Sequence, residues 1–232
     1  MYRQYFKRLF DIVLSGFALI VLFPVLIYIS YLVNIELGYP VIFRQVRPGK
    51  AGKLFTMYKF RTMNEKKDAR GYLLPDDRRL TNFGKKLRST SLDELPELIN
   101  VLKGDMSVVG PRPQLVRDMV FFTDEEMKRQ SVYPGLTGLA QICGRNNISW
   151  KEKFKYDLKY IDRIYFLEDM RIIFQTIFKV LAQEDISKEG METAEDYGEW
   201  LLKNNIISKK QYDLKHMVAN KLLADFKVEG TK

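Results

Sequence analysis

Two adjacent carboxylates, Asp93 and Glu94, are the clearest candidates for chemistry in this 232-residue chain. With Ser91 they form the pattern S-x-x-E, which is typical of a helix N-terminus, where acids also complement the helix dipole. A carboxylate at this position can also attack a phosphorus atom, provided that cations screen the incoming phosphate groups and a metal ion neutralises the developing charge. The residues alone allow both interpretations, a helix cap and a nucleophile.

Several basic residues could bind such phosphate groups. Arg112 lies between Pro111 and Pro113 in a loop that the prolines stiffen, and a rigidly held guanidinium suits bidentate phosphate binding. The candidate phosphate-binding residues are Lys59, Arg61, Arg88, Arg112 and Arg145. The candidate metal ligands are Asp93, Asp157 and Asp169, although salt bridges on a helix surface would equally account for the last two.

Composition limits the other kinds of chemistry. The chain has a single cysteine, Cys143, and a single histidine, His216, which excludes an intrachain disulfide and a Cys₄ zinc site and makes a Ser-His-Asp triad improbable. Lys and Arg number 38 against 29 Asp and Glu, a formal net charge of +9. This excess suits a partner that carries phosphates, whether nucleic acid, nucleotide or lipid headgroup.

An uncharged apolar segment, Ile12–Val33, is long enough to cross about 30 Å of hydrocarbon as a helix. No small-residue cleavage pattern follows it, so it is not a signal peptide. Basic residues precede and follow it, including Arg3 and Arg44, so both flanks are expected in the cytoplasm. Because Pro24 favours a bend at its middle, we predict a re-entrant hairpin; a kinked single-pass helix is the alternative.

The remaining elements must position the candidate residues. Short β-prone runs around Val41–Phe43 and Leu54–Tyr58 predict a hairpin. Apolar spacing after Ser91 predicts a helix that ends at Gly104. Two later helices are expected around Phe154–Tyr165 and Met170–Leu181, the second of them in a membrane interface. Caps at Thr193 and Ser208 predict two further amphipathic helices.

These elements predict a mixed α/β fold that is mostly helical, with a small β-hairpin, interfacial amphipathic helices and a compact cytosolic catalytic domain. We expect three parts. They are a re-entrant membrane helix hairpin over residues 1–38, a catalytic domain over 39–185 and an appended helical hairpin over 186–232.

Several long motifs resemble one family. They are Lys7-Arg8, PVIFRQVRPGKAGK, YKFRTM, LDELPELINVLKGDMSVVGPRP and PGLTGLAQICGRNNISW. Together, in unbroken order over roughly residues 1–185, they are similar to the bacterial monotopic phosphoglycosyl transferases, the PglC-like sugar transferases. Two positions depart from that pattern. The family commonly has Ser-Pro where this chain has Phe23-Pro24, so Pro24 must do most of the bending, and it often has an aromatic residue at Leu139.

The resemblance implies an enzyme at the cytoplasmic face of the bacterial inner membrane. Such an enzyme moves a phosphosugar from a UDP-sugar to polyprenol phosphate, releases UMP and uses Mg²⁺. By the same resemblance Asp93 is the nucleophile that takes the phosphosugar as an acyl phosphate, and Glu94 assists in metal binding or proton handling. The expected role is the first membrane step of glycoconjugate assembly.

Two other classes of protein are alternatives. A membrane-tethered nucleic-acid binder would account for the net charge, but acids such as Glu195 and Glu199 in the C-terminal helices would face phosphates unfavourably. A membrane adaptor without catalysis would use its cations on lipid headgroups. We therefore expect no nucleic-acid partner. The sequence leaves open the identity of the sugar, the function of residues 186–232 and whether the chain forms a homodimer.

Overall fold

The computed structural model describes residues 1–144, 148–182 and 195–229 and is mostly helical, as predicted. The helices are α1 (Lys7–Leu37), α2 (Asp76–Arg79), α3 (Asn82–Ser89), α4 (Glu97–Lys103), α5 (Val116–Met119), α6 (Asp124–Met127), α7 (Leu139–Ile142), α8 (Trp150–Asp162), α9 (Phe166–Ala182), α10 (Tyr197–Lys203) and α11 (Lys209–Glu229). The strands are β1 (Ile42–Pro48), β2 (Leu54–Phe60), β3 (Ser107–Val109) and β4 (Gly135–Thr137).

Helix α1 contains the apolar segment and runs unbroken through Pro24. It is long and apolar enough to cross a membrane. Because a proline removes one helical hydrogen bond but keeps a helical φ, the chain does not turn between two separate helices. Any change of direction at Pro24 is therefore a bend inside one helix. A re-entrant arrangement of this segment would have to be formed by a single bent helix.

Both halves of α1 contact the same domain. In the first half, the Asp11 carboxylate accepts a hydrogen bond of 2.9 Å from the Val108 N–H. In the second half, Ile29 and Val33 are buried in a cluster with residues of β2 and α3. Aromatic and aliphatic side chains between these two contact sites are exposed: Phe17, Ile20, Val21, Phe23, Ile27 and Tyr28.

Strands β1 and β2 form the predicted antiparallel hairpin, and each extends further toward its C-terminal end than the β-prone runs indicated. The register pairs Phe43 with Lys59 and Ile42 with Phe60. Phe55, Met57 and Phe60 of β2 are buried, which anchors the strand in the core and fixes the position of Lys59.

A second pair of strands, β3 and β4, is parallel, with Ser107 opposite Gly135. The backbones of Gly110 and Gly135 approach closely, since a Cβ atom on Gly135 would lie 2.1 Å from the Gly110 nitrogen. Only glycine fits such a contact. It fixes the backbone two residues before Arg112, and the loop of Pro111 and Pro113 leads from there into α5.

The start of α4 differs from the prediction. Ser91 has a φ of 54° and makes no capping hydrogen bond, whereas a helix cap normally has an extended backbone. Asp93 and Glu94 lie in a short 3₁₀ turn, and α4 begins only after Pro96. The capping-box interpretation of Ser91 is therefore wrong, and Pro96 sets the helix start because proline is accepted there. The helix ends at Gly104 as predicted.

The C-terminal segment forms the predicted pair of helices. The Ser208 hydroxyl accepts a hydrogen bond from the Gln211 N–H and caps α11. Thr193 lies outside the described residues, and α10 begins at Tyr197 with Asp196 before it. This pair packs into the domain, because Tyr197 and Leu201 are buried in a cluster whose other buried members are Phe121, Phe122, Trp150 and Phe154.

Candidate active site

Asp93 and Glu94 line a cavity of about 1260 Å³ between the β-hairpin, the 3₁₀ turn, the Arg112 loop and helices α8 and α9. Four of the five predicted phosphate-binding residues line the same cavity: Lys59, Arg61, Arg88 and Arg112. The fifth, Arg145, lies outside the described residues. Ligand pockets usually measure about 300 to 1,000 Å³, so this cavity has room for more than one small molecule.

Glu94 is held by two cations. Lys59 donates a hydrogen bond of 2.8 Å to Glu94 Oε1, and Arg112 donates to both carboxylate oxygens, at 2.5 and 3.4 Å. Burial would raise the pKa of Glu94, but the charges and hydrogen bonds of Arg112 and Lys59 outweigh it and hold that pKa well below its usual range. Glu94 is therefore a carboxylate whose charge is balanced.

Asp93 has a different environment. Asp93 is 7% exposed, and within the described part of the chain its carboxylate accepts no hydrogen bond. Burial and the charge of Glu94 raise the pKa of Asp93 to about 7, against the lowering effect of Lys59, Arg88 and Arg112. The dipole of a helix does not keep this group ionised, contrary to what its sequence position implies. The turn therefore places in the cavity wall a carboxylate that has no hydrogen-bond partner among the described residues. The pKa of this carboxylate lies near neutral pH.

A third carboxylate, Glu97, belongs to this group and was missed by the sequence reasoning. Glu97 is 1% exposed, and its Oε1 atom lies 3.1 Å from the Lys59 ammonium. Burial raises the pKa of Glu97, while the charge of Lys59 lowers it. Glu97 lies one helical turn before the fully buried Val101, on the face of α4 that packs inward. Its local sequence does not indicate this, because an acid at a helix start is normally solvated.

Arg61 and Arg88 are held by other parts of the domain. Arg61 donates a hydrogen bond of 2.9 Å to the Tyr39 carbonyl, and Arg88 donates one of 3.1 Å to the Thr62 hydroxyl. These contacts fix both guanidinium groups at the wall of the cavity. Each guanidinium has five N–H donors, and both line the cavity.

The structure does not bring the three predicted metal ligands together. Asp157 lines the cavity but is buried against Arg129, which donates to its carboxylate at 2.7 and 2.9 Å. Asp169 is fully buried elsewhere, where it accepts hydrogen bonds from Lys7, Tyr2 and Tyr160. The described residues contain no cluster of three or more acids, histidines or cysteines suited to a metal. Asp93, Asp157 and Asp169 therefore do not lie together as one ligand set, because Arg129 binds Asp157 and Lys7 binds Asp169.

Arg129 is a second residue that the sequence reasoning missed. It is 4% exposed and donates a hydrogen bond of 2.7 Å to the Arg112 carbonyl as well as binding Asp157. It thus connects the Arg112 loop to α8. Nothing in its local sequence marks it, since an arginine at the end of a short polar helix is normally solvated.

Another part of the cavity wall is mostly apolar. Helix α9 contributes Ile173, Ile177, Val180 and Leu181 to it, while Phe174 and Phe178 of the same helix are exposed. Helix α1 also exposes apolar side chains, between its two contact sites. A cation-rich cavity in a domain with such exposed apolar helices is typical of an enzyme that handles phosphate-bearing substrates at a membrane.

Comparison with known proteins agrees with this class. The model of the bacterial sugar transferase family matches residues 2–183. An uncharacterised sugar transferase of Bacillus subtilis, EpsL, is 47% identical over 191 residues, which cover 82% of this chain and 95% of that protein. The chain therefore belongs to the bacterial sugar transferase family, which confirms the predicted family and class of enzyme.

Two relatives carry more specific names. A UDP-glucose:undecaprenyl-phosphate glucose-1-phosphate transferase of Klebsiella pneumoniae is 46% identical over 184 residues, covering 75% of this chain and 40% of that protein. An undecaprenyl-phosphate galactose phosphotransferase of Salmonella typhimurium is 38% identical over 198 residues, covering 78% of this chain and 41% of that protein. The chain thus spans about two fifths of these two relatives.

Proposed function

We propose that this chain transfers a sugar-1-phosphate from a UDP-sugar to undecaprenyl phosphate and releases UMP. The named relatives support the substrates, since they act on UDP-glucose or galactose donors and undecaprenyl phosphate. The observation that carries the proposal is the asymmetry of the dyad. Glu94 is bound by Lys59 and Arg112, whereas the Asp93 carboxylate faces a cation-lined cavity without a hydrogen-bond partner among the described residues.

The asymmetry assigns the two carboxylates different tasks. An oxygen of ionised Asp93 attacks the β-phosphorus of the donor, and the bond from that phosphorus to the bridging oxygen breaks, so that UMP leaves with the electron pair. The product of this step is an acyl phosphate on Asp93 that carries the sugar. An oxygen of undecaprenyl phosphate then attacks the same phosphorus, and the Asp93 carboxylate leaves.

Glu94 acts in this scheme by holding two cations beside the nucleophile. Lys59 and Arg112 lie against its carboxylate, so their positive charges are fixed next to the place where the diphosphate must enter. Fixed cations stabilise charge that develops in a transition state without having to reorganise. Glu97 adds a second anchor for Lys59.

Magnesium fits the site through a small protein ligand set. Mg²⁺ typically uses one or two carboxylates together with substrate phosphates rather than a complete protein cage. The unpartnered Asp93 carboxylate at the cavity wall is a suitable ligand, with the donor phosphates supplying the others. When bound, the ion would neutralise charge on the diphosphate.

The contacts of α1 support a monotopic arrangement. Asp11 and Val33 are 22 residues apart, about 33 Å along a straight helix, which exceeds the hydrocarbon thickness of about 30 Å. Both contact the same domain, so a helix that crossed the bilayer would carry one contact site to the far side. We therefore place both ends of α1 at one membrane face, the cytoplasmic face, with the exposed apolar middle in the lipid.

The direct test measures UMP release by purified protein from a panel of UDP-sugars, with undecaprenyl phosphate and Mg²⁺ in detergent. We expect UMP from at least one donor, and the panel also identifies the sugar. The matched control is the Asp93→Asn variant, which should release none. Absence of UMP from every donor with the wild-type protein would refute the proposal and favour a binding protein.

A further inference from the structure

The C-terminal segment, residues 195–229, lies beyond the residues 2–183 that match the family model. Nevertheless, two of its residues, Glu195 and Asp196, line the cavity that contains Asp93. This chain therefore builds part of the wall of its active site from a segment that the shared family sequence does not supply.

The segment is firmly fixed to the domain. The Asp118 carboxylate, in a residue that is 2% exposed, accepts hydrogen bonds from the Tyr197 N–H at 2.9 Å and from the Leu115 N–H at 3.3 Å. Gly198 packs so tightly that a Cβ atom there would lie 2.5 Å from the Phe121 ring. Glu195 is thus presented by a built surface rather than by a loose tail.

Helix α8 shows where this surface lies relative to the dyad. Trp150, Lys153 and Asp157 are spaced along one face of the helix, and all three line the cavity. Asp157 is joined through Arg129 to the backbone of the Arg112 loop. Two turns away, about 10 Å along the helix, the Trp150 indole N–H donates a hydrogen bond of 3.2 Å to the Glu195 carbonyl.

Glu195 and Asp196 give this end of the cavity two carboxylates, and the cations Lys153 and Arg117 also line it. Carboxylates accept hydrogen bonds and repel an anion, so a neutral polyhydroxyl group is their natural ligand. Asp196 is bound to Arg117 at 2.8 Å. Glu195 pairs with the exposed Lys203 at 3.6 Å, which is longer than a hydrogen bond. Glu195 is therefore the carboxylate that can change partners when a ligand enters.

We propose that Glu195 is a specificity-determining residue that accepts hydrogen bonds from vicinal hydroxyl groups of the donor. This inference rests on the proposed function. Two parts of a UDP-sugar carry such hydroxyls, the sugar and the ribose, and they present the same chemistry to a carboxylate. Contact with either one stabilises the bound donor before and during the reaction equally, so it acts on KM more than on kcat.

The experiment compares Glu195→Ala with Glu199→Ala, a matched loss of an exposed acid on α10 that does not line the cavity. Donor KM, kcat and inhibition by UMP are measured for several UDP-sugars. Loss of a hydrogen bond to a charged group should raise KM roughly 10- to 100-fold with kcat little changed. Glu195→Gln keeps an acceptor oxygen and should fall between the wild type and Glu195→Ala.

The pattern across donors identifies the hydroxyls. A KM increase that depends on the sugar, with UMP inhibition unchanged, assigns Glu195 to the sugar. A uniform increase with weaker UMP inhibition assigns it to the ribose. If Glu195→Ala matches Glu199→Ala in every parameter, the inference is overturned. Calorimetric titration of UDP-sugar and UMP into Asp93→Asn, with and without Glu195→Ala, makes the same comparison by binding alone. Because this variant does not turn over, the titration tests the role of Glu195 even if the proposed reaction is wrong.

Discussion

The Lys59 ammonium lies 2.8 Å from Oε1 of Glu94, and this ion pair separates the two adjacent carboxylates into different electrostatic states. Glu94 remains ionised because cations hold it, and its charge then disfavours ionisation of Asp93, whose pKa burial has already raised to about 7. A pair of like charges in one buried site commonly divides in this way. The predictions below follow from this division and from the two outer segments of the chain.

Asp93→Asn should abolish transfer because the amide is not a nucleophile, while the fold is kept. The folded-state pKa of Asp93 is raised from 3.8 to about 7, so between about pH 4 and pH 7 the folded protein holds a proton that the unfolded chain has lost. This contribution to stability declines as pH rises through that window. Asn does not titrate, so the thermal midpoint of the variant relative to wild type should be higher at pH 8 than at pH 5.

A covalent intermediate should be detectable on Asp93. Mass spectrometry of wild-type protein mixed with the active UDP-sugar alone should show added phosphosugar on the peptide that contains Asp93, together with UMP. The Asp93→Asn protein serves as the control. If UMP forms only when undecaprenyl phosphate is also present and no adduct is trapped, direct transfer in a ternary complex replaces the two-step mechanism.

The fall of activity at low pH, the acid limb of the profile, should reflect protonation of the Asp93 carboxylate. Since the nucleophile must be ionised, kcat/KM should fall tenfold per pH unit below the pKa of Asp93, which is raised to about 7 in the metal-free protein and which a bound Mg²⁺ would lower. Glu94→Gln removes a charge that raises this pKa, so its residual activity should show a limb at lower pH, whereas Lys59→Met should move the limb higher. Limbs that coincide in all three proteins would assign the ionisation to another group.

Arg112→Lys should lower activity by at least about tenfold while the fold is retained. Lysine keeps the charge but cannot donate to both oxygens of Glu94 as Arg112 does, nor bind phosphate bidentately. The matched control is Arg78→Lys, an exposed arginine outside the cavity wall. Steady-state rates with thermal midpoints test this, and a rate equal to that of the control contradicts the role of the guanidinium fork.

Both flanks of α1 should be accessible from the cytoplasm only. In a Cys143→Ser background, single cysteines at Arg3 and Arg44, both exposed, should react with a membrane-impermeant thiol reagent only after the cell is opened. Pro24→Ala should straighten the helix and shift the protein toward a spanning arrangement. Reaction of the cysteine at position 3 from the periplasm in the unmodified helix would show that α1 spans the membrane.

The C-terminal hairpin should contribute to the stability of the whole domain. Leu201→Ala removes a buried side chain from the aromatic cluster and should cost about 2 to 5 kcal/mol of unfolding free energy. Leu214→Ala on α11, where the side chain is 61% exposed, should change it by less than about 0.5 kcal/mol. If Leu201→Ala lowers the thermal midpoint no more than Leu214→Ala does, the C-terminal hairpin does not contribute to the stability of the domain.

The sequence by itself determined the elements whose signals are local. An uncharged apolar segment indicated α1, and two short β-prone runs indicated the β1–β2 hairpin. Gly104 and Ser208 indicated a helix end and a helix start. The order of long motifs also identified the family, and the candidate residues Lys59, Arg61, Arg88, Asp93, Glu94 and Arg112 do share one cavity. These features depend on neighbours in the chain or on shared motifs.

Only the tertiary structure decided which charges meet. The sequence leaves Asp157 and Asp169 as candidate metal ligands or salt-bridge partners, and the structure pairs one with Arg129 and the other with Lys7, across 28 and 162 positions of sequence. The protonation state of Asp93 likewise depends on burial and on Lys59, 34 residues earlier in the chain, rather than on a helix start. The same holds for Glu195, which reaches the cavity because Asp118 binds the backbone of the next turn. Electrostatic energies depend on distance and burial, and local sequence patterns specify neither.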